Sequence, residues 1–348
     1  MRILIVGPSL FLPWVDYTAR ALRRLGHSVT VFHCTNILMD RLTLRKGRQW
    51  AQGIPPLAAG LERLRAGWHE RRDQRLLALA GKFQPEMVLL MHGESLSARF
   101  LRALKTRVRC PVVAWWVDNP FRHPIGELFP LYDALYIFDR SYMEPLRRAG
   151  AREVRFLPCC CDETVYRPRT LTPSQRQRYG IGIAFIAWCY ERRIEVVKEM
   201  AGLPLKIWGR GWSTPEARTR LNGSRERIPI EERFVPDEEA ALIYSGCQIG
   251  LNIHADQTRM GGLNTRSFEL PAAGAFELTD AVEGMEELLE PGREVAVYRS
   301  PAEAREMAGY FLSHPEERAS IAARGRERVL REHTYLHRMK TLLAEAPK

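Results

Sequence analysis

Short, nearly continuous runs of apolar residues, many of them β-branched, recur along the whole chain. They fall at residues 3–6, 29–32, 87–91, 112–117, 135–138 and 154–157, and again at 183–187, 205–208, 249–253, 275–278 and 295–298. Runs that do not alternate with polar residues are typical of strands covered on both faces, as in parallel sheets. The stretches between them are long enough for crossover helices. The sequence therefore predicts an α/β protein with two doubly wound, Rossmann-like domains.

A proline-rich, polar segment, FLPCCCDETVYRPRTLTPSQRQRYG, separates the two groups of strands, and we expect the interdomain connection there. The expected bounds are 1–160, 161–325 and a closing segment, 326–348. Residues 40–81 lack a strand signal, and their arginine-rich helical spacing predicts an extra basic helix. The seven cysteines form no paired CxxC, so the CCC run at 159–161 is interpreted as small buried residues.

The charge of the chain is uneven. The 348 residues include 52 basic and 41 acidic side chains, a net charge of +11. Residues 1–160 carry 25 basic against 13 acidic residues, whereas residues 161–348 carry 27 against 28. The first half therefore has a net charge of +12, which indicates two domains with different partners.

The apolar runs are far shorter than the roughly 20 residues that a membrane helix needs. The first residues, RILIVGPS, are typical of a buried strand followed by a turn and not of a secretory signal. These features predict a cytoplasmic protein.

Three stretches resemble the GT-B glycosyltransferases. FLPCCCDETVYRP resembles the linker-side pattern of that superfamily, and LNIHADQTRMGGLNTRSFELPAAGAFELTD resembles the donor-binding core of its CgeB-like family. The tail HPEERASIAARGRERVLREHTYLHRM is similar to the closing helices of that family. The resemblance implies two domains facing a cleft, with the acceptor in the first and the donor in the second. It also implies a last helix that crosses back onto the first domain.

A nucleotide sugar brings two phosphates, two ribose hydroxyls and a base, and the second half supplies groups for each. Glu269, at the predicted start of a helix, can accept hydrogen bonds from both ribose hydroxyls, as the matching glutamate does in the family. Alternatively, it only stabilises the helix dipole. Arg266 can neutralise a phosphate or pair with Glu269. The turn with Gly261, Gly262 and Asn264 can offer backbone N–H groups to the diphosphate.

Further donor-site candidates follow two predicted strands. Arg192 and Arg193 can neutralise the diphosphate, although we expect one of them to be only solvated. In the WGRGW segment, Gly209 forms a turn after which Arg210 and Trp212 can flank the base. The alternative for Trp212 is burial in the core.

The sequence departs from the family pattern at two places. Many retaining GT-B enzymes carry two glutamates eight positions apart, and if Glu269 is the second, Gly261 stands where the first should be. Glu277 has the right spacing from Glu269, but it lies inside a predicted strand, so we interpret the match as accidental. Ala187 stands where the family usually has glycine. These departures leave the stereochemical course open.

Transfer with inversion needs a general base, which the family fold assigns to the first domain. The leading candidate is Asp16, in the loop after the first predicted strand, and the others are His92 and Asp118, at the ends of the third and fourth predicted strands, also cleft-facing positions. Each has a structural alternative: Asp16 as a helix cap, His92 as a satisfied loop histidine and Asp118 in an Asx turn.

The sequence contains no DxD pair to hold a divalent ion, so we expect no metal or other cofactor. The favoured function is transfer of a sugar from a UDP-, dTDP- or GDP-sugar to a hydroxyl acceptor, in cell-surface glycan, glycolipid or protein glycosylation. The alternative is an inactive GT-B scaffold that docks on acidic surfaces. The basic first half suggests an anionic acceptor, or a peripheral position at the inner membrane face. No nucleic-acid motif is present, so nucleic acid is not expected as a partner.

Overall fold

The structure is a computed structural model that describes residues 1–8, 13–34, 55–92, 96–221 and 228–347. The side chains of residues 55–59, 61 and 62 are not described. The chain divides into two compact units. The first comprises residues Met1–Ile137, Tyr142–Leu157 and Met339–Lys348, and the second comprises Phe138–Ser141 and Pro158–Arg338.

The first unit is built on a parallel six-stranded sheet in the order β2-β1-β3-β4-β5-β6. Every residue of β3 and β4 is buried, as their continuous apolar runs predict. The strands and the helices between them are β1 (Arg2–Gly7), α1 (Trp14–Arg24), β2 (Ser28–His33), α2 (Pro55–Phe83), β3 (Met87–Met91), α3 (Ala98–Val108), β4 (Val112–Trp116), β5 (Ala134–Ile137), α4 (Met143–Arg148) and β6 (Val154–Phe156).

The extra basic helix is present as α2, which spans 29 residues. Its described part exposes Arg63, Arg71 and Arg75, whereas Leu76 and Ala80 are buried. The predicted segment also includes residues 40–54, which lie outside the described residues.

The second unit repeats the scheme with a parallel sheet in the order β12-β11-β10-β7-β8-β9. Its strands are β7 (Ile183–Ile186), β8 (Leu205–Trp208), β9 (Ile230–Glu231), β10 (Ile249–Asn252), β11 (Phe276–Asp280) and β12 (Ala296–Tyr298). Its helices are α5 (Pro173–Tyr179), α6 (Glu191–Glu199), α7 (Pro215–Leu221), α8 (Asp237–Gly246), α9 (Arg266–Ala272), α10 (Pro301–Ser313) and α11 (Pro315–Glu332). The two α/β domains with parallel sheets confirm the predicted fold class.

The last helix of the chain, α12 (Tyr335–Glu345), is divided between the two units, with the boundary after Arg338. Helix α11 packs on α9 and β11, so it is part of the second unit, although the sequence places the closing segment from residue 326. Residues from Met339 onward group with the first unit, where the Tyr136 hydroxyl donates to the Leu342 carbonyl at 3.2 Å.

The CCC run lies in the second unit and is buried, with all three thiols free. The buried Arg338 guanidinium donates to the Cys159 carbonyl at 2.9 Å and to the Pro158 carbonyl at 2.9 Å. The interpretation of these cysteines as small buried residues is therefore confirmed.

Candidate functional site

The topology of the second unit defines where a ligand is expected. From the centre of the sheet towards one edge, the strands follow in the order β7, β8 and β9. Towards the other edge they follow in the order β10, β11 and β12. The strand order therefore reverses between β7 and β10. In open α/β sheets, ligands bind outside the carboxyl ends of the strands at this switch point. The segments that follow β7, β10 and β11 form the candidate site.

A buried network of polar side chains lies at the end of β10. The Asn252 amide donates to Glu277 Oε1 at 2.8 Å, to Ser267 Oγ at 3.0 Å and to Asn264 Oδ1 at 3.2 Å. Its own Oδ1 accepts from Arg266 Nη1 at 3.0 Å and from Asn264 Nδ2 at 2.9 Å. Asn252 therefore joins the end of β10 to β11 and to the first turn of α9, and it holds Arg266 in place.

A second group of side chains continues this network across the strand ends. Asp280 Oδ1 accepts from the His254 backbone N–H at 2.9 Å and lies 2.8 Å from His254 Nδ1. Asp280 Oδ2 lies 2.8 Å from Arg192 Nη2, and His254 Nε2 lies 3.4 Å from Ser267 Oγ. The carboxylate thus binds a buried histidine on one oxygen and a half-exposed arginine on the other.

The acidic groups of these networks have opposite pKa shifts. Burial raises the pKa of Glu277 to about 8, although its bonds from Asn252 and Ser267 favour the charged form. Burial also opposes ionisation of Asp280, but the attraction and hydrogen bonds of His254, together with Arg192, hold its pKa below the ordinary value. Asp280 is therefore the fixed negative charge of the site.

Glu269 lies in the first turn of α9, as the sequence predicts. The residue as a whole is partly buried. Burial and the nearby charge of Asp237 raise its pKa, whereas Arg266 and hydrogen bonds from Thr265 and Tyr166 act in the opposite direction. A carboxyl group held in this way can accept hydrogen bonds from a ligand that displaces water.

The two neighbouring arginines have different positions. Arg193 is buried, with Nη2 donating to the Ile253 carbonyl at 2.9 Å and Nη1 to the Trp188 carbonyl at 2.8 Å. Burial lowers its pKa to about 9, and the Arg266 charge adds to this. Arg193 therefore joins the segments after β7 and β10. The expectation that one of the two is merely solvated is wrong, because Arg192 binds Asp280.

The WGRGW segment packs against the loop that follows β7. Trp212 is fully buried and donates from Nε1 to the Ala187 carbonyl at 2.8 Å, so the alternative of a core tryptophan is the correct one. Gly209 has a φ of 154°, and a Cβ there would overlap the Ala187 carbonyl oxygen. Arg210 is exposed.

The glycine turn before α9 is bound to other parts of the second unit, which the sequence does not suggest. Gly261 has a φ of 68°, and its N–H donates to the Glu283 carbonyl at 2.6 Å. A Cβ on Gly262 would overlap the buried carboxylate of Asp139, which accepts from the backbone N–H of Met260 at 3.0 Å. The Gly261 N–H is therefore bound within the unit, which contradicts its expected role as a donor to the diphosphate.

The first unit has its own switch point, between β1 and β3. His92 directly follows β3 with a φ of 65° and is largely buried. Its ring stacks on Trp116 at a centroid distance of 5.2 Å and lies 5.6 Å from the Trp14 ring. His92 is thus held between two indoles at the place where a ligand of this unit is expected.

The two acidic candidates of the first unit are less enclosed. Asp16 lies in the first turn of α1, whose N-cap is Pro13, so Asp16 does not cap the helix. Its carboxylate is exposed and lies 3.9 Å from His33 Nε2. Asp118 accepts from the Asn119 N–H at 2.8 Å, and Asn119, not Asp118, caps the following turn.

Across the described ranges, no group of three His, Cys, Asp or Glu side chains is placed to hold a metal ion. Nor is any helix in those ranges long and apolar enough to cross a membrane.

Comparisons with known proteins agree with this architecture. Residues 190–344 match the model of the glycosyl transferase-like family. Spore protein CgeB of Bacillus subtilis (strain 168) is 26% identical over 254 residues, which are 69% of this chain and 76% of CgeB. A glycosyltransferase from Rickettsia africae aligns with a TM-score of 0.69 at 12% identity, covering 99% of this chain and 97% of its own. Anabaena HepE, solved with UDP and glucose, aligns at 0.65 and 12% identity, covering 99% and 98%.

Residues 190–344 match the glycosyl transferase-like family model, and the chain has the GT-B fold of the solved structures. The resemblance to CgeB-like GT-B glycosyltransferases is thereby confirmed.

In this GT-B chain, the roles of His254 and Ser267 were not predicted from the sequence. His254 stands two residues after β10, in LNIH, at the carboxyl edge of the sheet. That placement was the available signal. The contact with Ser267 depends on how α9 packs, and no sequence pattern predicts it.

Proposed function

We propose that this GT-B protein transfers a sugar from a nucleotide sugar to a hydroxyl acceptor. The observation that carries the proposal is the Arg192–Asp280 pair at the switch point of the second unit, in a segment of the glycosyl transferase-like family. The pair offers a guanidinium that is oriented but still half-exposed, as a phosphate ligand must be.

The donor groups are assigned by their chemistry. Arg192 stands in the first turn of α6, where the helix N-terminus also attracts an anion, so we place the diphosphate there. Arg266 is a second phosphate candidate, oriented by Asn252. Glu269 is assigned to the ribose hydroxyls. A neighbouring fold, that of HepE, binds UDP and glucose, which supports a nucleotide sugar as the ligand class.

For a transfer with inversion, we place His92 first among the candidate bases. It follows the switch-point strand of the first unit and is held between two aromatic rings, whereas Asp16 is exposed and Asp118 is paired with Arg122 at 3.4 Å. A base must be held within hydrogen-bond reach of the hydroxyl, which favours the most constrained side chain.

We also propose that the donor site works without a divalent ion and that positive side chains balance the diphosphate. Turnover in the presence of EDTA, equal to that in added Mg²⁺, is the expected result. Strict dependence on Mg²⁺ or Mn²⁺ would contradict this part.

The acceptor or docking partner is proposed to be anionic. The +12 charge of residues 1–160 and the exposed arginines of α2 support a phosphate-bearing acceptor or a peripheral position at the inner face of the membrane. Flotation with anionic and neutral liposomes, at low and high salt, tests the membrane. Equal binding to anionic and neutral liposomes would exclude electrostatic docking.

The test of the function is a thermal-shift screen with UDP-, dTDP- and GDP-sugars, followed by turnover assays. A ligand at a hundredfold its dissociation constant stabilises by about 2.7 kcal/mol. Stabilisation together with turnover is expected. Stabilisation without hydrolysis or transfer would favour the inactive scaffold. That alternative is motivated by two departures from the family pattern, Ala187 in place of the usual glycine and Gly261 in place of a glutamate.

A further inference from the structure

Two aromatic side chains are exposed in the segment after β7. Trp188 is 54% exposed and Tyr190 is 42% exposed. Within the part of the chain that the structure describes, Trp188 is the most exposed tryptophan, whereas Trp115, Trp116, Trp208 and Trp212 are fully buried. Full burial of an aromatic side chain stabilises a fold, so an indole left in water at a switch point is available for a ligand.

Hydrogen bonds at Trp188 and at both of its chain neighbours fix the backbone of this loop. Ala187 N–H donates to the Trp208 carbonyl at 2.8 Å, and the Cys189 N–H donates to the Arg210 carbonyl at 2.9 Å. The carbonyl of Trp188 itself accepts from the buried Arg193 at 2.8 Å. These bonds order the loop in the absence of a ligand. Ligand binding therefore does not have to offset the free-energy cost of ordering it.

Trp188 is close in the chain to the helix N-terminus where the diphosphate is proposed to bind. Tyr190 is the N-cap residue of α6, and its ring lies 4.8 Å from the Arg193 guanidinium. Trp188 precedes that N-cap by two residues. A nucleotide sugar carries a ring on each side of its diphosphate, namely the ribose with its base and the transferred sugar. Either flat face can stack on an indole.

We propose that Trp188 is a stacking platform for a ring of the donor, either the nucleobase or the pyranose. The inference rests on the proposed function, since it takes the donor to be a nucleotide sugar bound at the end of β7. Trp188 would thereby help determine which donor the protein accepts.

The test compares binding of UDP with UDP-glucose, dTDP with dTDP-glucose, and GDP with GDP-mannose by titration calorimetry. It uses the wild type, W188F and W188L. Loss of base stacking generally weakens binding by about five- to a hundredfold, so W188L should bind at least fivefold more weakly, and W188F should stay near the wild type. Tyr310→Leu, a change at an exposed aromatic residue of α10, is the matched control and should bind normally.

The outcomes separate the sources. Weakening of nucleotide and nucleotide sugar alike supports stacking on the base, and weakening of the nucleotide sugar alone supports stacking on the pyranose. If the wild type binds a donor and W188L binds it within twofold, the platform is overturned while the proposed function stands. A wild type that binds none of the six ligands overturns the donor assignment and the platform with it.

Fluorescence supplies a second readout that does not depend on W188L folding. A stacked ring should quench the emission of Trp188, so ligand-induced quenching should largely disappear in W188F while affinity remains. Quenching that persists undiminished in W188F would count against the platform.

Discussion

Asp280 Oδ1 lies 2.8 Å from His254 Nδ1, and both side chains are almost fully buried at the carboxyl ends of adjacent strands. The other carboxylate oxygen binds Arg192. One buried anion thus fixes a histidine inside the unit and an arginine at its surface. This arrangement makes Asp280 a positioning residue for the proposed donor site.

We expect Asp280→Asn to weaken donor binding because Arg192 would lose the partner that orders it. Ordering a long side chain costs about 0.5–1.5 kcal/mol, so KM for the donor should rise about two- to tenfold, with a smaller change in kcat. Steady-state kinetics measure this split. Asp256→Asn, at an exposed position two residues after His254, should leave both constants unchanged. An unaltered KM in Asp280→Asn would contradict the positioning role.

The two neighbouring arginines should separate stability from binding. Arg193→Met leaves the Trp188 and Ile253 carbonyls without their donor, which should destabilise the second unit by about 2 kcal/mol and lower its Tm by about 4–8 °C. Arg192→Met removes a half-exposed pair worth less than about 1 kcal/mol, but it should weaken donor binding. Thermal unfolding and calorimetry of both variants check this. Equal melting temperatures would contradict the structural role of Arg193.

Gly209 and Gly309 should respond in opposite directions to alanine. Gly209→Ala places a Cβ against the Ala187 carbonyl, so it should destabilise the unit and disturb the Trp188 loop. Gly309 lies within α10, and a Cβ there has open space around it. Gly309→Ala should therefore stabilise the helix by about 0.5–1 kcal/mol. The measurement is the Tm of each variant, and a Gly209→Ala protein as stable as the wild type would show that the loop can shift.

The raised pKa of Glu277 predicts a pH dependence of stability. Because the folded-state pKa is about 8 and the usual value is 4.5, the unfolded chain releases the proton more readily. The stabilising contribution of the protonated carboxyl is full below pH 4.5 and is lost as the pH rises towards 8, at up to about 1.4 kcal/mol per pH unit. Glu277→Gln should therefore gain stability relative to the wild type between pH 6 and 8.5.

The matched control for this pH series is Glu199→Gln, a change at an exposed position at the end of α6. Its Tm difference from the wild type should be the same at pH 6 and pH 8.5. A Glu277→Gln difference that also stays constant would show that Glu277 is already ionised at pH 6.

The strands were predictable because burial on both faces leaves a plain mark in the sequence. The runs at Met87–Met91 and Leu205–Trp208 coincide with β3 and β8. Strand β9 (Ile230–Glu231) was missed, since two residues at a sheet edge carry no apolar run. The site was harder to predict. Residue type alone does not separate Arg192 from Arg193, although Arg193 lies four residues before the buried Val197 and so shares its helix face.

The glycine turn shows a different limit. The sequence predicted free N–H groups at Gly261 and Gly262, but the Gly261 N–H is bound to Glu283 and Gly262 is needed for close packing on Asp139. Asp139 is 123 residues away from Gly262 in the chain. Such a contact depends on tertiary structure, so local spacing could not have indicated it.

The most direct test of the proposed donor site is calorimetric titration of the intact wild type and of Glu269→Ala with UDP-, dTDP- and GDP-sugars. We expect that at least one donor binds the wild type and that Glu269→Ala, which removes the acceptor for both ribose hydroxyls, binds it at least tenfold more weakly. A wild type that binds none of them, or a Glu269→Ala protein that binds as tightly as the wild type, would contradict the proposed donor site.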